Sequence, residues 1–112
     1  MIEAKHTYSP VAGVTVKATT NITPYRFVNF NGAMCGDNEK ALGICEVSFD
    51  ADEAAGVQYI GILLIEVGTA VTQGAEVTSD AAGMCKPRGA GALNGIALRA
   101  GTVGEMIPIL LR

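Results

Sequence analysis

Glycine divides this chain into short apolar stretches. The 112 residues include 14 glycines, and no part of the chain shows a sustained apolar repeat of 3.6 residues. The stretches between the glycines are rich in alternating and β-branched residues, which is typical of short strands joined by tight turns. The sequence therefore predicts an all-β domain with at most one short helical turn, folded as a small β-sandwich or barrel.

Six stretches have the alternation or apolar density expected of strands. They are 14–23, 25–31, 42–49, 57–67, 95–100 and 106–112. Pro108 lacks a backbone donor, so the last stretch is expected to be an edge strand or to carry a bulge. Asp50 as a cap and Gly56 as a stop would allow one helical turn between them.

The two halves of the chain repeat one pattern. "GAMCGDNEKALGICEV" (32–47) and "AGMCKPRGAGALNGIALRA" (82–100) both pass through Met-Cys, a polar turn, Ala-Leu and Gly-Ile. The repeat extends to about 22–64 and 71–111, where residues 54–64 are matched with 102–111. We therefore expect two pseudo-repeated halves. In each, the glycine that precedes Ile44 or Ile96 would allow a bulge or a close approach of the two walls of the fold.

The first 13 residues show little periodicity. Charged residues, a histidine and Pro10 interrupt them, so we predict an extended N-terminal arm or a loosely attached first strand. Residues 14–112 are then one β-rich domain. No basic region followed by an apolar core and a cleavage site occurs at the start, so no signal peptide is expected.

Charge is distributed unevenly along the chain. Residues 35–80 carry nine acidic residues and one lysine, whereas 81–112 carry four basic residues and one glutamate. Two interpretations stay open: solvated loops of alternating sign, or an acidic and a basic side presented to neighbouring molecules. The net charge of −3 and the absence of aromatics among the basic residues argue against nucleic-acid binding. The longest apolar run is too short to span a bilayer.

The residues that could carry chemistry do not form a catalytic pattern. The three cysteines, Cys35, Cys45 and Cys85, match no metal or redox spacing and are expected to be unpaired, buried and reduced. The single histidine, His6, has no second histidine with which to form a triad. Ser79-Asp80 is expected to be a turn in which Asp80 accepts backbone amides. We predict a non-enzymatic protein without a cofactor or a metal.

Residues 67–77 suggest an alternative function. "VGTAVTQGAEV" is similar to the hairpin of biotinyl and lipoyl carrier domains. Such carriers need an exposed lysine on a tight hairpin, and neither Lys40 nor Lys86 has that context. A small β-rich carrier or binding module of a cellular complex therefore remains the second hypothesis.

The second half resembles the small phage capsid cement, or head decoration, proteins. The motifs that carry the resemblance run in order from Gly74 through "VTSDA" (77–81), Gly83, "GIA" (95–97) and "GE" (104–105) to the apolar end at 107–111. They cover roughly residues 41–112. The resemblance implies a structural virion protein that binds the outside of a phage head and clamps neighbouring major capsid subunits. It also implies a dimer or trimer, made in the host cytoplasm, with no nucleic-acid or membrane partner.

Exposed polar and apolar side chains at the arm and at two turns are the candidate contacts with capsid or with neighbouring copies. They are Ile2, Lys5, His6, Tyr8, Asp50, Asp52, Glu53, Lys86 and Arg88. Asp50, Asp52 and Glu53 are close enough in sequence to bind a hard cation, but their spacing departs from a calcium loop. We therefore interpret them as a solvated acidic loop.

Overall fold

Eight strands form one strongly curved sheet in the computed structural model, which describes residues 9–112. The strands are β1 (Ser9–Lys17), β2 (Phe27–Val28), β3 (Gly43–Ile44), β4 (Ala54–Glu66), β5 (Glu76–Ser79), β6 (Cys85–Pro87), β7 (Gly95–Ala97) and β8 (Met106–Leu111). Their order is β2-β3-β4-β8-β7-β5-β6, with β1 added to β4, and all these pairs are antiparallel. The predicted all-β, barrel-like class is confirmed.

The sheet curls into a nearly closed barrel. Its two ends meet because the backbone N–H of Phe27 on β2 donates to the carbonyl of Gly83, in the turn between β5 and β6, at 2.7 Å. Near-closure of this kind leaves few unpaired strand edges. Residues 9–112 contain no helix with the length and hydropathy needed to span a membrane.

The predicted strands are mostly shorter in the structure. Residues 25–31 contribute only β2, and residues 42–49 contribute only β3, because the glycine and Asx turns beside them end the pairing. The stretch 50–53 is a hydrogen-bonded turn rather than a helix, and β4 starts directly after it at Ala54. β1 starts at Ser9, so residues 9–13 of the predicted arm belong to a strand.

Two apolar clusters fill the interior. The larger contains Leu63 and Ile65 of β4 packed against Ile107 and Ile109 of β8, together with Phe27. The smaller contains Ala55 and Val57 of β4, with Val28 of β2 and Cys45 after β3. Neighbouring residues of β2 thus point into different clusters, as alternation along a strand requires.

Gly43 and Gly95 lie where a short strand closely approaches a long one. A Cβ atom at Gly43 would stand 2.0 Å from the carbonyl oxygen of Gln58 on β4, and one at Gly95 would stand 3.0 Å from that of Leu110 on β8. Contacts this short leave no room for a side chain, so only glycine fits at Gly43. The expected close approach at both Gly-Ile positions is confirmed.

Several backbone contacts occur in both halves. The N–H of Ala18 donates to Glu53 O and that of Val67 donates to Glu105 O, both at 2.9 Å. The bridge between Ile22 and Phe49 likewise has a counterpart between Val71 and Gly101. These matched contacts support our proposal that the two halves repeat one unit.

The strand pairings favour an alignment of the two halves that differs, at the last strand, from the alignment predicted from sequence. Lys17 pairs with Ala54, and Glu66 pairs with Met106. If Lys17 in the first half corresponds to Glu66 in the second, then Ala54 corresponds to Met106 rather than to residue 102. The proposed repeat thus matches β1 with the second half of β4.

Replacing Gly43 by alanine should destabilise the domain by about 1–3 kcal/mol, because the added methyl group forces β3 away from β4. The matched control is Gly56→Ala on β4, where a Cβ would meet no atom within 4 Å. That variant should stay within about 1 kcal/mol of the wild type. Urea unfolding measures both, and equal effects of the two substitutions would contradict the close approach.

Candidate functional site

The acidic turn 50–53 projects from the end of the smaller cluster. The N–H of Asp50 donates to Glu53 Oε1 at 2.6 Å, and the N–H of Asp52 donates to Ala18 O at 2.7 Å. Asp52 has a positive φ of 74°, a conformation that aspartate tolerates better than most residues. The Asp52 side chain is 85% exposed, and within residues 9–112 its one ion pair is with Lys17, at 3.6 Å. Glu53 therefore shapes the turn, while Asp52 presents charge to solvent.

The predicted basic contacts are paired within the chain. Lys86 on β6 lies 2.5 Å from Asp37, and Arg88 lies 2.9 Å from Glu76 on β5. The acidic and basic segments that are separate in sequence thus partly neutralise each other in space. Lys86 and Arg88 are therefore less available to a partner than the sequence indicates.

Arg26 and Glu66 form an ion pair that sequence analysis did not identify. Arg26 Nη2 lies 3.2 Å from Glu66 Oε1, both side chains are about three-quarters buried, and Arg26 also donates to Ala82 O. Forty positions separate the two residues, and no spacing rule connects them. The pair ties the turn before β2 to the end of β4, so it supports the barrel rather than an external contact.

Ile2, Lys5, His6 and Tyr8, the predicted contacts in the N-terminal arm, lie outside the described residues. Their role stays a prediction from sequence. Ser9, the first described residue, pairs with Ile62 on β4.

The polar side chains at Ser79 and Asp80 serve the backbone. Asp80 Oδ1 accepts the N–H groups of Ala82 and Met84 at 2.8 and 2.9 Å, and Ser79 Oγ donates to Asp80 O. This confirms the predicted Asx turn. Within residues 9–112, no three His, Cys, Asp or Glu side chains come together as a metal-binding group.

The three thiols are buried. Cys35 and Cys85 lie in the larger cluster and Cys45 in the smaller one, and none is in a disulfide. Burial raises the pKa of Cys45 to about 11. Burial, with a contribution from the Asp80 carboxylate, raises the pKa of Cys85 to about 12. The thiols are protonated at neutral pH and pack as small apolar side chains.

The stability of the fold should decrease between pH 9 and about 12. Unfolded Cys85 loses its proton near pH 9.0, whereas folded Cys85 keeps its proton until about pH 12. Its contribution to stability is therefore complete below pH 9 and is lost as the pH rises through this window. Urea unfolding below and within the window should show a smaller decrease for Cys85→Ala than for the wild type. An identical decrease in both proteins would contradict the raised pKa.

Four exposed apolar side chains lie on the paired strands β1 and β4. We call Val11, Val14, Tyr59 and Ile60 the ribbon patch; they account for half of the large apolar side chains exposed in the described residues. Sequence analysis did not identify this surface. It placed Val11 in the N-terminal arm and predicted 57–67 only as a strand. No sequence signal identifies the patch, because its exposure follows from an irregular pairing of two distant strands.

The fold and the surface define a small structural domain of all-β type. Its buried groups stabilise the barrel, so any contact with a partner must be made by exposed side chains. The family model described as phage cement protein matches residues 7–109. The chain therefore belongs to the phage cement protein family and is a structural protein of a phage virion. The family and the fold point to a non-enzymatic role.

A solved structure of a phage head protein shares this fold. The crystal structure of the head fiber gp8.5 N base in bacteriophage phi29 aligns with a TM-score of 0.74 at 13% sequence identity. The alignment covers 90% of this chain and 93% of that chain. No match was found among curated proteins.

Proposed function

We propose that this protein binds the outer surface of a phage capsid and stabilises contacts between major capsid subunits. The observation that carries the proposal is the match to the phage cement protein family over residues 7–109. The protein would be made in the host cytoplasm and act on the virion, as a dimer or trimer, with no nucleic-acid or membrane partner and no cofactor.

The geometry of the barrel supports a holding function. The barrel is nearly closed by backbone hydrogen bonds and packed mainly with aliphatic side chains, so little of its interior can rearrange when a force acts on its surface. Its buried thiols are protonated, and the Ser79 hydroxyl donates within its own turn. These groups support structure rather than catalysis.

The carrier alternative receives less support from the geometry. Lys40 lies in the loop between β2 and β3, where its Nζ donates to the carbonyl oxygens of Leu93 and Arg112. Lys86 lies within β6 and is paired with Asp37. Neither lysine sits on the 67–77 hairpin that suggested a carrier, so we favour the capsid function.

The function is tested with phage heads that lack this protein. Purified protein should sediment with expanded heads at a fixed number of copies per head, and the decorated heads should resist heat and denaturant better than bare heads. Sedimentation of the protein alone and of bare heads provides the two controls. Absence of binding, or binding with no gain in head stability, would refute the proposal.

Among the predicted contacts, the acidic turn has the charge most available to a capsid. Asp52 is exposed and held on a short turn, whereas Lys86 and Arg88 are engaged within the chain. We propose that Asp52 faces a basic group of the capsid subunit, with Asp50 and Glu53 keeping the turn in shape.

Asp52→Asn should weaken binding to heads by roughly fivefold at low salt and reduce the salt dependence of binding. Asparagine tolerates the positive φ at this position, so the stability of the domain should not change. Glu46→Gln makes the same change in net charge outside the 50–53 turn and should bind normally. Equal binding by the wild type and both variants would contradict a contact at Asp52.

A further inference from the structure

The chain contains two Asn-Gly pairs, at residues 31–32 and 94–95. In such a pair the backbone nitrogen of the glycine can attack the side-chain carbonyl carbon of the asparagine, because glycine has no side chain to obstruct the approach. The ring that forms releases ammonia and is then opened by water. Both pairs offer the same chemistry, so the fold decides which of them reacts.

Asn94 is held inside the barrel. It is 1% exposed, its Oδ1 accepts the N–H of Ala41, and its Nδ2 donates to the carbonyl oxygen of Glu39, both at 2.9 Å. Gly95 lies in β7, between β5 and β8 in the sheet. Ring closure at this pair would break both side-chain bonds and open a central strand, so the fold protects Asn94.

Asn31 lies on an exposed turn. The hydrogen bonds that it makes to the described residues run through its main chain. Its N–H donates to Asn29 Oδ1 at 2.9 Å, and its carbonyl oxygen accepts the Thr19 hydroxyl at 3.1 Å. No hydrogen bond to residues 9–112 therefore restrains the carboxamide that would react.

The backbone nitrogen of Gly32 is held by a long hydrogen bond. Its N–H donates to the carbonyl oxygen of Asn29 at 3.2 Å, the upper end of the usual range. Gly32 also packs against β1, since a Cβ there would stand 2.2 Å from the carbonyl oxygen of Lys17. Ring closure needs the turn to lift from β1 while the barrel stays folded. Opening of this kind costs less free energy at a surface turn than in a core strand.

The turn does not need an asparagine at position 31. The side chain of Asn29 accepts the N–H of Asn31 at 2.9 Å. In the second half, the side chain of Asp80 accepts the N–H of Ala82 in the same way, at 2.8 Å. Each of these side chains also accepts the N–H four residues further on. Alanine thus serves in the matching turn, and removal of the Asn31 side chain should leave the turn intact.

We propose that Asn31 is a modification site, converted through a succinimide to aspartate and isoaspartate while Asn94 stays intact. The deprotonated nitrogen of Gly32 attacks Cγ of Asn31, the bond from Cγ to Nδ2 breaks, and ammonia leaves with the proton that the nitrogen gave up. Water then opens the ring. Opening at the side-chain carbonyl gives aspartate, and opening at the main-chain carbonyl gives isoaspartate. The reaction consumes one water and needs no other reactant.

Both products change the turn. Each adds a negative charge, and isoaspartate also adds a carbon atom to the backbone between Phe30 and Gly32. The carbonyl oxygen of Gly32 accepts the N–H of Thr19 at 2.9 Å, directly after β1 and Ala18. The longer backbone should weaken this contact. A structural protein of a virion is not replaced after assembly, so converted copies would accumulate with age.

The test follows conversion of the folded wild-type protein at mildly alkaline pH, with peptide mass spectrometry at both pairs and enzymatic methylation to count isoaspartate. Asn31 should convert at least about tenfold faster than Asn94, because a surface turn opens more readily than a core strand. The rate should rise with pH, since the glycine nitrogen must lose its proton. In urea the two sites should convert at similar rates. Conversion of both sites in urea, but of neither in the folded protein, would show that the turn protects Asn31 and would overturn the inference.

Two variants separate the modification from its consequences. Asn31→Ala should unfold at the wild-type urea concentration and should gain no isoaspartate on ageing. Freshly prepared Asn31→Asp carries the new charge on a normal backbone and should stay close to the wild type in stability, whereas aged wild-type protein should unfold at lower urea. If aged Asn31→Ala gains as much isoaspartate as the aged wild type, the modification lies elsewhere and the inference is wrong.

Discussion

The rest of the fold depends on the pairing of β4. This strand of 13 residues runs past both apolar clusters and pairs with β1, β3 and β8. Its second half packs Leu63 and Ile65 against Ile107 and Ile109, and all four side chains are fully buried. A strand this long and apolar is stable in water only when neighbours satisfy its backbone and cover one face, which ties the two halves of the chain together.

Small residues let that arrangement close tightly. Gly43 and Gly95 bring short strands against β4 and β8, and Phe27 is the only fully buried aromatic side chain in the described residues. The larger cluster is otherwise aliphatic apart from cysteines, and the thiol of Cys85 stays protonated at neutral pH. Because the interior is tightly packed, only exposed side chains can contact a partner. This agrees with the chain's membership of the phage cement protein family.

Two kinds of surface remain available once internal contacts are counted. The paired Lys86 and Arg88 are engaged, whereas the acidic turn holding Asp52 keeps its charge in solvent and the ribbon patch keeps its apolar side chains there. The acidic turn favours a basic partner group, and the ribbon patch favours an uncharged one. In protein complexes generally, electrostatic contacts mainly guide association, whereas buried apolar contacts slow dissociation.

The sequence by itself determined the all-β class, the buried cysteines, the Asx turn at Asp80 and the glycine contacts, because each follows from local patterning or residue size. It also predicted the family through an ordered set of motifs in 41–112. The lengths of the short strands, the Arg26–Glu66 pair and the neutralisation of Lys86 by Asp37 depended on residues far apart in sequence. The ribbon patch was likewise decided by tertiary structure, since Val11 and Tyr59 lie at the two irregularities in the pairing of β1 with β4. Pairing register between distant strands is set by the whole core, and no local pattern records it.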